Sequence, residues 1–167
     1  MANVILAPVH TRLLKAWTAL QWSGVAASHT GNTTETVLAT IPLAAAAMGP
    51  NGALKITSVW SYTQTVNSKT MRARLGGLAG TAFQALVVTT AIRNTRMQCQ
   101  IHNRNANNAQ ASHSPTLPGG WSTDASAIVT GTIDTSIAQN LVITAQLGLG
   151  SETLTLESYL VELLYGA

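Results

Sequence analysis

From Thr33 to its C-terminus, the chain is a succession of short segments in which apolar and polar residues alternate, separated by Gly, Pro and Asn. Alternation of this kind is typical of strands with one buried face. Successive segments are not separated by helical patterns, which excludes a βα fold. The segments predicted as strands are residues 33–41, 53–63, 69–75, 81–90, 95–103, 126–133, 141–147 and 152–165, with a short strand near 109–113. The sequence therefore predicts an all-β fold, an antiparallel jelly-roll sandwich of about eight strands with an N-terminal arm.

The alternation also predicts which side chains form the core. Positions of one parity on a strand face the same side of the sheet. The inward sets are expected to be Leu54, Ile56, Ser58 and Trp60; Met71, Ala73 and Leu75; and Met97, Cys99 and Ile101.

Composition limits what the chain can do. Charged residues make up 9% of the chain, where soluble domains carry about 25%. An apolar fraction of 46% with a net charge of +3 is not that of a disordered chain. The basic pI of about 9.4 reflects this small imbalance and no cluster of cations, so we expect no direct nucleic-acid binding. No apolar run reaches the length of about 18 residues needed for a membrane span, and we expect no membrane partner.

The first 30 residues follow a different pattern. Leu13, Leu14, Trp17 and Leu20 recur at roughly helical spacing, after Pro8 and before a Ser-Gly pair. Two interpretations stay open, a short helix or an arm that becomes ordered only against a partner. We therefore divide the chain into an attachment segment, residues 1–30, and a jelly-roll domain, residues 31–167.

The last predicted strand is apolar on both faces beyond Ser158. A single sandwich covers one face of a strand, so a second copy of the chain is expected to cover the other, and we expect a homo-oligomer, specifically a trimer. Large aromatic residues outside a core often anchor interfaces. The residues predicted to contact another subunit or a capsid are Leu13, Leu14, Trp17, Leu20, Trp22, Arg72, Arg74, Arg96, Tyr159, Val161 and Leu163.

Signatures of catalysis and of metal binding are not found in the sequence. Four His and two Asp occur without a Gly-x-Ser-x-Gly turn, and no phosphate-binding glycine motif is present. Cys99 and His102 would point to opposite faces of one strand, which disfavours a zinc site. We expect no enzymatic activity, no metal and no cofactor.

Several segments together resemble a known group of proteins. These are GVAASHTGNTTETVLATIP (24–42), GPNGALKITSVWSYT (49–63), NSKTMRARLGG (67–77), IHNRNANNAQ (101–110) and LVITAQLGLGSETLTLESYLVELL (141–164). The combination is similar to small structural proteins of tailed-bacteriophage virions. The resemblance implies a jelly roll like those of tumour-necrosis-factor-like and capsid-decoration proteins, commonly trimeric. It implies a place in the virion, assembled in the bacterial host cytoplasm, with the major capsid protein or another virion protein as partner.

Two functions are compatible with this resemblance. In the first, the chain is a capsid cement or decoration protein whose arm and basic strand faces hold the shell. In the second, it is a tail-tip or fibre module that binds host carbohydrate through loops 64–68 and 103–120. For that alternative, the candidate glycan-binding residues are Trp121, which can stack on a sugar, and the amides of Asn105 and Asn107.

Overall fold

The computed structural model describes residues 16–113 and 127–167. In this part of the chain, eleven strands and no helices are found. The strands are β1 (Thr18–Ser23), β2 (Ala27–Thr30), β3 (Thr36–Leu43), β4 (Ala53–Tyr62), β5 (Lys69–Leu75), β6 (Thr81–Val88), β7 (Asn94–Asn103), β8 (Gln110–Ser112), β9 (Val129–Gly131), β10 (Gln139–Leu147) and β11 (Thr153–Leu164).

The strands form two antiparallel sheets whose order is that of a jelly roll. The larger sheet contains the order β2-β11-β4-β7, which β1 extends along β11 and β8 and β9 extend beyond β7. The smaller sheet has the order β3-β10-β5-β6. When β1, β8 and β9 are set aside, the remaining eight strands alternate between the two sheets along the chain. The one exception is the β5–β6 hairpin, whose strands lie in the same sheet. The all-β jelly-roll prediction is confirmed, and β1, β8 and β9 are additions to the eight-stranded pattern.

Strands β1 and β2 follow one another along the same edge of β11. Residues of β1 pair with Tyr159 to Leu163, and those of β2 pair with Thr153 to Leu156. Thr18 to Ser23 are therefore extended, where the spacing of apolar residues also permitted a short helix. Backbone pairing with a long strand outweighs a helical preference that is weak over so few residues. The part of residues 1–30 that the structure describes thus contributes two strands to the larger sheet.

The core lies between the sheets, and the predicted inward faces fill it. Trp60, Phe83 and Ile41 are among its largest buried side chains. The three predicted inward sets, from Leu54 to Trp60, from Met71 to Leu75 and from Met97 to Ile101, are all buried. Alternation along the strands was sufficient to assign them.

A β-bulge in β11 changes which of its side chains face the core. The register with β4 shifts between Leu156 and Ser158, so that Leu156 and Val161 both point inward although their parities differ. Leu160 and Leu164 consequently lie on the outer face of the sheet. Even positions therefore fill the core before the bulge and odd positions fill it after, while Leu160 and Leu164 leave apolar side chains on the outer face.

The loops divide between two ends of the sandwich. Ser61 pairs with Asn94 and Ala53 pairs with His102, so the loop after β4 and the loop after β7 lie at opposite ends. The predicted glycan-binding loop 64–68 therefore does not share a cleft with the part of loop 103–120 that follows β7 directly. We call the end that carries the loop after β4, where Asn67 contacts Glu152, the Glu152 end. The end that carries the loop after β7 is the Asn103 end.

Candidate interaction surface

The outer face of the larger sheet brings apolar residues from three strands together. Trp22 of β1 pairs with Leu160 of β11, and Leu160 pairs with Thr57 of β4. Val59 lies in the adjacent row. Paired residues share a face of the sheet, and these four residues form a surface that we call the Trp22 patch. They line a shallow depression of about 380 Å³.

The Trp22 patch is open to solvent in the single chain. The side chain of Trp22 is 70% exposed and that of Val59 is 38% exposed. Leu160, between them, is half-buried. An exposed indole next to aliphatic side chains marks a contact surface, because burying it against a partner removes a large apolar area from water. The geometry can thus support docking of another protein surface.

Trp17 is held on the same outer face by a charged residue. The Lys55 Nζ atom lies 5.1 Å from the centroid of the Trp17 ring. The same atom pairs with the Glu162 carboxylate at 2.5 Å. The cation–π contact positions the described start of the chain beside the Trp22 patch.

Arg72 and Arg74 lie on the outer face of the smaller sheet, where both contact Glu35. Arg74 Nε donates to Glu35 Oε1 at 2.7 Å and Arg74 Nη2 donates to Oε2 at 2.9 Å, a bidentate pair. Arg72 Nη1 lies 3.2 Å from Glu35 Oε2. Thr144 donates its hydroxyl to Glu35 Oε1 at 2.5 Å.

This cluster shifts the ionisation of its members. Burial alone would raise the pKa of Glu35, but hydrogen bonds from Arg74 and Thr144 and the charges of both arginines lower it overall. Burial, with the charge of Arg74, lowers the pKa of Arg72, while Glu35 acts in the opposite direction. The two predicted interface arginines are thus partly neutralised within their own chain, and the cluster carries a net charge of +1.

Arg96 differs from those two arginines. It is exposed on the outer face of β7, where it pairs with Val59 across the strands. Among the described residues it has no ion-pair partner. A cation without an acidic partner in the described ranges therefore borders the Trp22 patch.

Four other predicted interface residues pack into the chain's own core. Val161 is completely buried, and Leu20, Tyr159 and Leu163 pack against the core while partly buried. Tyr159 also accepts a hydrogen bond from Gln21 Nε2 at its hydroxyl, at 2.8 Å. The bulge at residue 157 turns Tyr159, Val161 and Leu163 inward, so the apolar side chains that β11 presents outward after the bulge are Leu160 and Leu164 instead. Leu13 and Leu14 lie outside the described residues.

The two predicted glycan-binding asparagines that the structure describes differ in their surroundings. Asn105 is exposed in a left-handed conformation with φ of 56°. The backbone carbonyl of Asn107 accepts bonds from the Thr135 backbone and hydroxyl, at 2.9 and 2.8 Å, which builds this residue into the loop framework. Trp121 lies outside the described residues.

Two further observations concern the described ranges, 16–113 and 127–167. They contain no group of three or more His, Cys, Asp and Glu side chains arranged to hold a metal ion. They also contain no helix long and apolar enough to cross a bilayer.

Comparison with known proteins shows resemblance in architecture. No protein-family model matches the chain, and no curated protein matches it. Among solved structures, lectin I from Ulex europaeus, in complex with the methyl glycoside of α-L-fucose, aligns over 88% of this chain and 92% of its own, at 9% identity and a TM-score of 0.37. Arcelin-5, a lectin-like defense protein from Phaseolus vulgaris, aligns over 75% and 76%, at 10% identity and a TM-score of 0.34.

A chain from the structure of infectious bursal disease virus, Gx strain, aligns over 90% of this chain and 40% of its own, at 11% identity and a TM-score of 0.28. Since these scores are low, the jelly-roll assignment depends on the strand order of this chain itself.

Proposed function

We propose that the chain is a structural protein of a bacteriophage virion, specifically a capsid cement or decoration protein that acts as a homotrimer. The observation that carries the proposal is the Trp22 patch. The sandwich has a core of its own, yet it presents on one outer face an indole, two aliphatic side chains and Arg96, which forms no ion pair with any described residue. A protein that stabilises a shell by contact needs such a surface and no catalytic centre.

The role of the patch follows from its composition. Burying apolar surface contributes about 25 cal/mol per Å² removed from water, without demanding a particular orientation. The cation at the border, Arg96, supplies direction by pairing with an acidic group of the partner surface. The patch also lies beside Trp17, where the described chain begins, so that attachment through residues preceding Ala16 and association through the sheet would involve the same face.

Oligomerisation is tested by native mass spectrometry of the full chain at micromolar concentration. We expect trimers for the wild type and monomers for Trp22→Ser. The matched control is Val66→Ser, because Val66 is equally exposed at 70% but lies in the loop after β4. A wild type that stays monomeric, or a Val66→Ser chain that dissociates like Trp22→Ser, contradicts the proposed use of the patch.

Location is tested on purified particles of the phage that encodes the chain. A decoration protein is present in hundreds of copies on the shell, whereas a tail-tip or fibre module is present in a handful. Quantitative mass spectrometry of the particles, with labelling of the chain for electron microscopy, separates the two. A low copy number at the tail would replace the capsid proposal with the carbohydrate-binding alternative.

A further inference from the structure

We propose that the outer face of β7 and β8 carries a binding site for a neutral, hydroxyl-rich ligand of the size of one sugar ring. A pocket of about 290 Å³ opens there, at the lower end of the range for small-molecule sites. The site adjoins the Trp22 patch, because Gln98 pairs with Thr57 across β7 and β4. Its described lining includes neither Asn105 nor Asn107. Its lining includes Gln98, Gln100, His102, Ala111, His113 and Ile128.

The strand register explains why these polar side chains converge. Met97, Cys99 and Ile101 fill the core, so the intervening residues of β7 all face outward. Ala111 pairs with His102 across β7 and β8 and shares this outer face. Two amides and an imidazole are thus placed at two-residue intervals along one rigid strand.

The hydrogen-bonding state of the lining leaves groups available for a ligand. His102 Nε2 and Gln100 Oε1 are 3.2 Å apart, which orients both side chains. The backbone carbonyl of Gln98 accepts a hydrogen bond from the side-chain amide of the buried Gln84. The side-chain amide of Gln98 itself forms no hydrogen bond with a described residue. The ring of His113 likewise bonds to no described residue.

The chemistry of the lining selects the class of ligand. Amides and imidazoles both donate and accept hydrogen bonds, as hydroxyl groups do. The described lining includes no carboxylate, ammonium or guanidinium group, so nothing in it favours a charged ligand. Ala111 and Ile128 supply an apolar surface suited to the C–H face of a sugar ring. Burial raises the pKa of the Cys99 thiol to about 12, so that the thiol contributes no reactive nucleophile and the site is suited to binding.

The test is an NMR titration of the ¹⁵N-labelled full chain. The probes are the methyl glycosides of glucose, galactose and mannose, with glucuronic acid and glucosamine as charged counterparts. We expect at least one neutral glycoside to shift the signals of Gln98, Gln100 and His102, and the charged sugars to shift them less. Gln98→Ala should weaken binding about tenfold, the effect of losing one or two ligand hydrogen bonds.

The control is Asn140→Ala, which removes an exposed amide from the smaller sheet and should leave affinity unchanged. If the NMR spectrum of Gln98→Ala shows that the variant does not fold, Gln98→Glu, which is nearly the same size and shape, is used instead. The proposal is overturned if no neutral glycoside shifts these signals, if shifts map elsewhere, or if the Gln98 variants bind like the wild type. Because the site adjoins the Trp22 patch, the titration is run on Trp22→Ser, expected to be monomeric, as well as on the wild type. Binding by the monomer alone shows a pocket covered by the trimer, whereas binding by neither chain overturns the site without touching the proposed function.

Discussion

Lys69 and Glu152 form an ion pair inside the sandwich, with 3.1 Å between Nζ and Oε2 and with side chains that are 0% and 4% exposed. Lys69 Nζ also donates to the Thr65 hydroxyl and to the Asn67 carbonyl, both at 2.8 Å. Glu152 Oε1 accepts from Thr65 and from Asn67 Nδ2. The pair thereby links the β4–β5 loop to the β10–β11 loop and closes the Glu152 end of the core.

Removing one member of this pair should be strongly destabilising. Lys69→Met leaves the carboxylate of Glu152 buried without its cation, and we expect the free energy of unfolding to fall by about 3–5 kcal/mol. The free energy of unfolding is measured by urea denaturation, followed by tryptophan fluorescence. The control is Lys55→Met, which breaks the partly exposed pair with Glu162 and should cost about 1 kcal/mol or less. Equal losses in the two variants would show that the pair is not effectively desolvated.

The same pair predicts a loss of stability in acid. Burial opposes ionisation of Glu152, but bonds from Thr65, Asn67 and Lys69 and the Lys69 charge hold its pKa below the ordinary value of 4.5, and the pKa of Glu35 is also lowered. A carboxyl with a lowered pKa in the folded state contributes stability that is present above its unfolded pKa and lost as the pH falls through its folded pKa. We therefore expect the unfolding free energy to decline below about pH 4.5.

Glu152→Gln identifies the origin of that decline. At neutral pH the variant should be less stable than the wild type, since Lys69 loses its counter-charge. As the pH falls the wild-type carboxyl becomes protonated, so the difference between the two proteins should shrink. Denaturation curves recorded from pH 7 downwards check this, and a difference that stays constant with pH would rule out Glu152 as a source of the acid sensitivity.

The strands were predictable because their signal is local. Alternation places Met71, Ala73 and Leu75 in the core without reference to any other strand, and the structure agrees. Other features depend on residues far apart in the chain. The helical spacing around Trp17 gave no indication of the pairing between β1 and β11, and the bulge at residue 157 appears only when β11 is aligned with β4.

The polar clusters were missed for the same reason. Lys69 shares the parity of Met71, Ala73 and Leu75, but no local signal identifies Glu152, in a distant loop, as the partner of its buried charge. Arg72 and Arg74 were expected on an outer face and do lie there, but Glu35, which holds them, precedes β3. Scarcity of charge was the available signal: with 6 acidic residues in the chain, each has a high chance of pairing with one of the 9 basic residues.

Cys99 should be unreactive in the folded protein. Burial raises its thiol pKa to about 12, so that almost no thiolate is present at neutral pH. We expect labelling by a thiol reagent such as DTNB to be very slow in buffer and fast in denaturing urea. Rapid labelling of the folded chain would show that β7 opens locally.

The C-terminus should tolerate no side chain at Gly166. Gly166 donates its N–H to the Met48 carbonyl at 2.9 Å and accepts from Asn51 N at 3.2 Å, which fixes it against the β3–β4 turn. A Cβ atom there would lie 2.0 Å from the backbone carbon of Asn51. Gly166→Ala should therefore detach the C-terminal residues and cost about 1–3 kcal/mol, measured by thermal unfolding. Ala167→Gly, one residue later, is the control and should leave the melting temperature unchanged.

Gln110 organises the Asn103 end through both ends of its side-chain amide. Its Nε2 donates to Asn103 Oδ1 and to the Ile133 carbonyl, both at 2.9 Å, and its Oε1 accepts from Ile133 N at 2.9 Å. Gln110→Glu keeps the shape but replaces the donor with an oxygen that faces the Asn103 and Ile133 oxygens. Because the site is buried, the variant must protonate the carboxyl or leave these acceptors unpaired, and we expect a loss of about 2–4 kcal/mol at pH 7. Gln139→Glu, whose amide makes one bond at 2.7 Å to the Asp134 carbonyl in a more exposed setting, should lose less than half as much. Comparable losses in urea denaturation of the two variants would mean that the loops at this end are held by their backbone turns and not by the amide of Gln110.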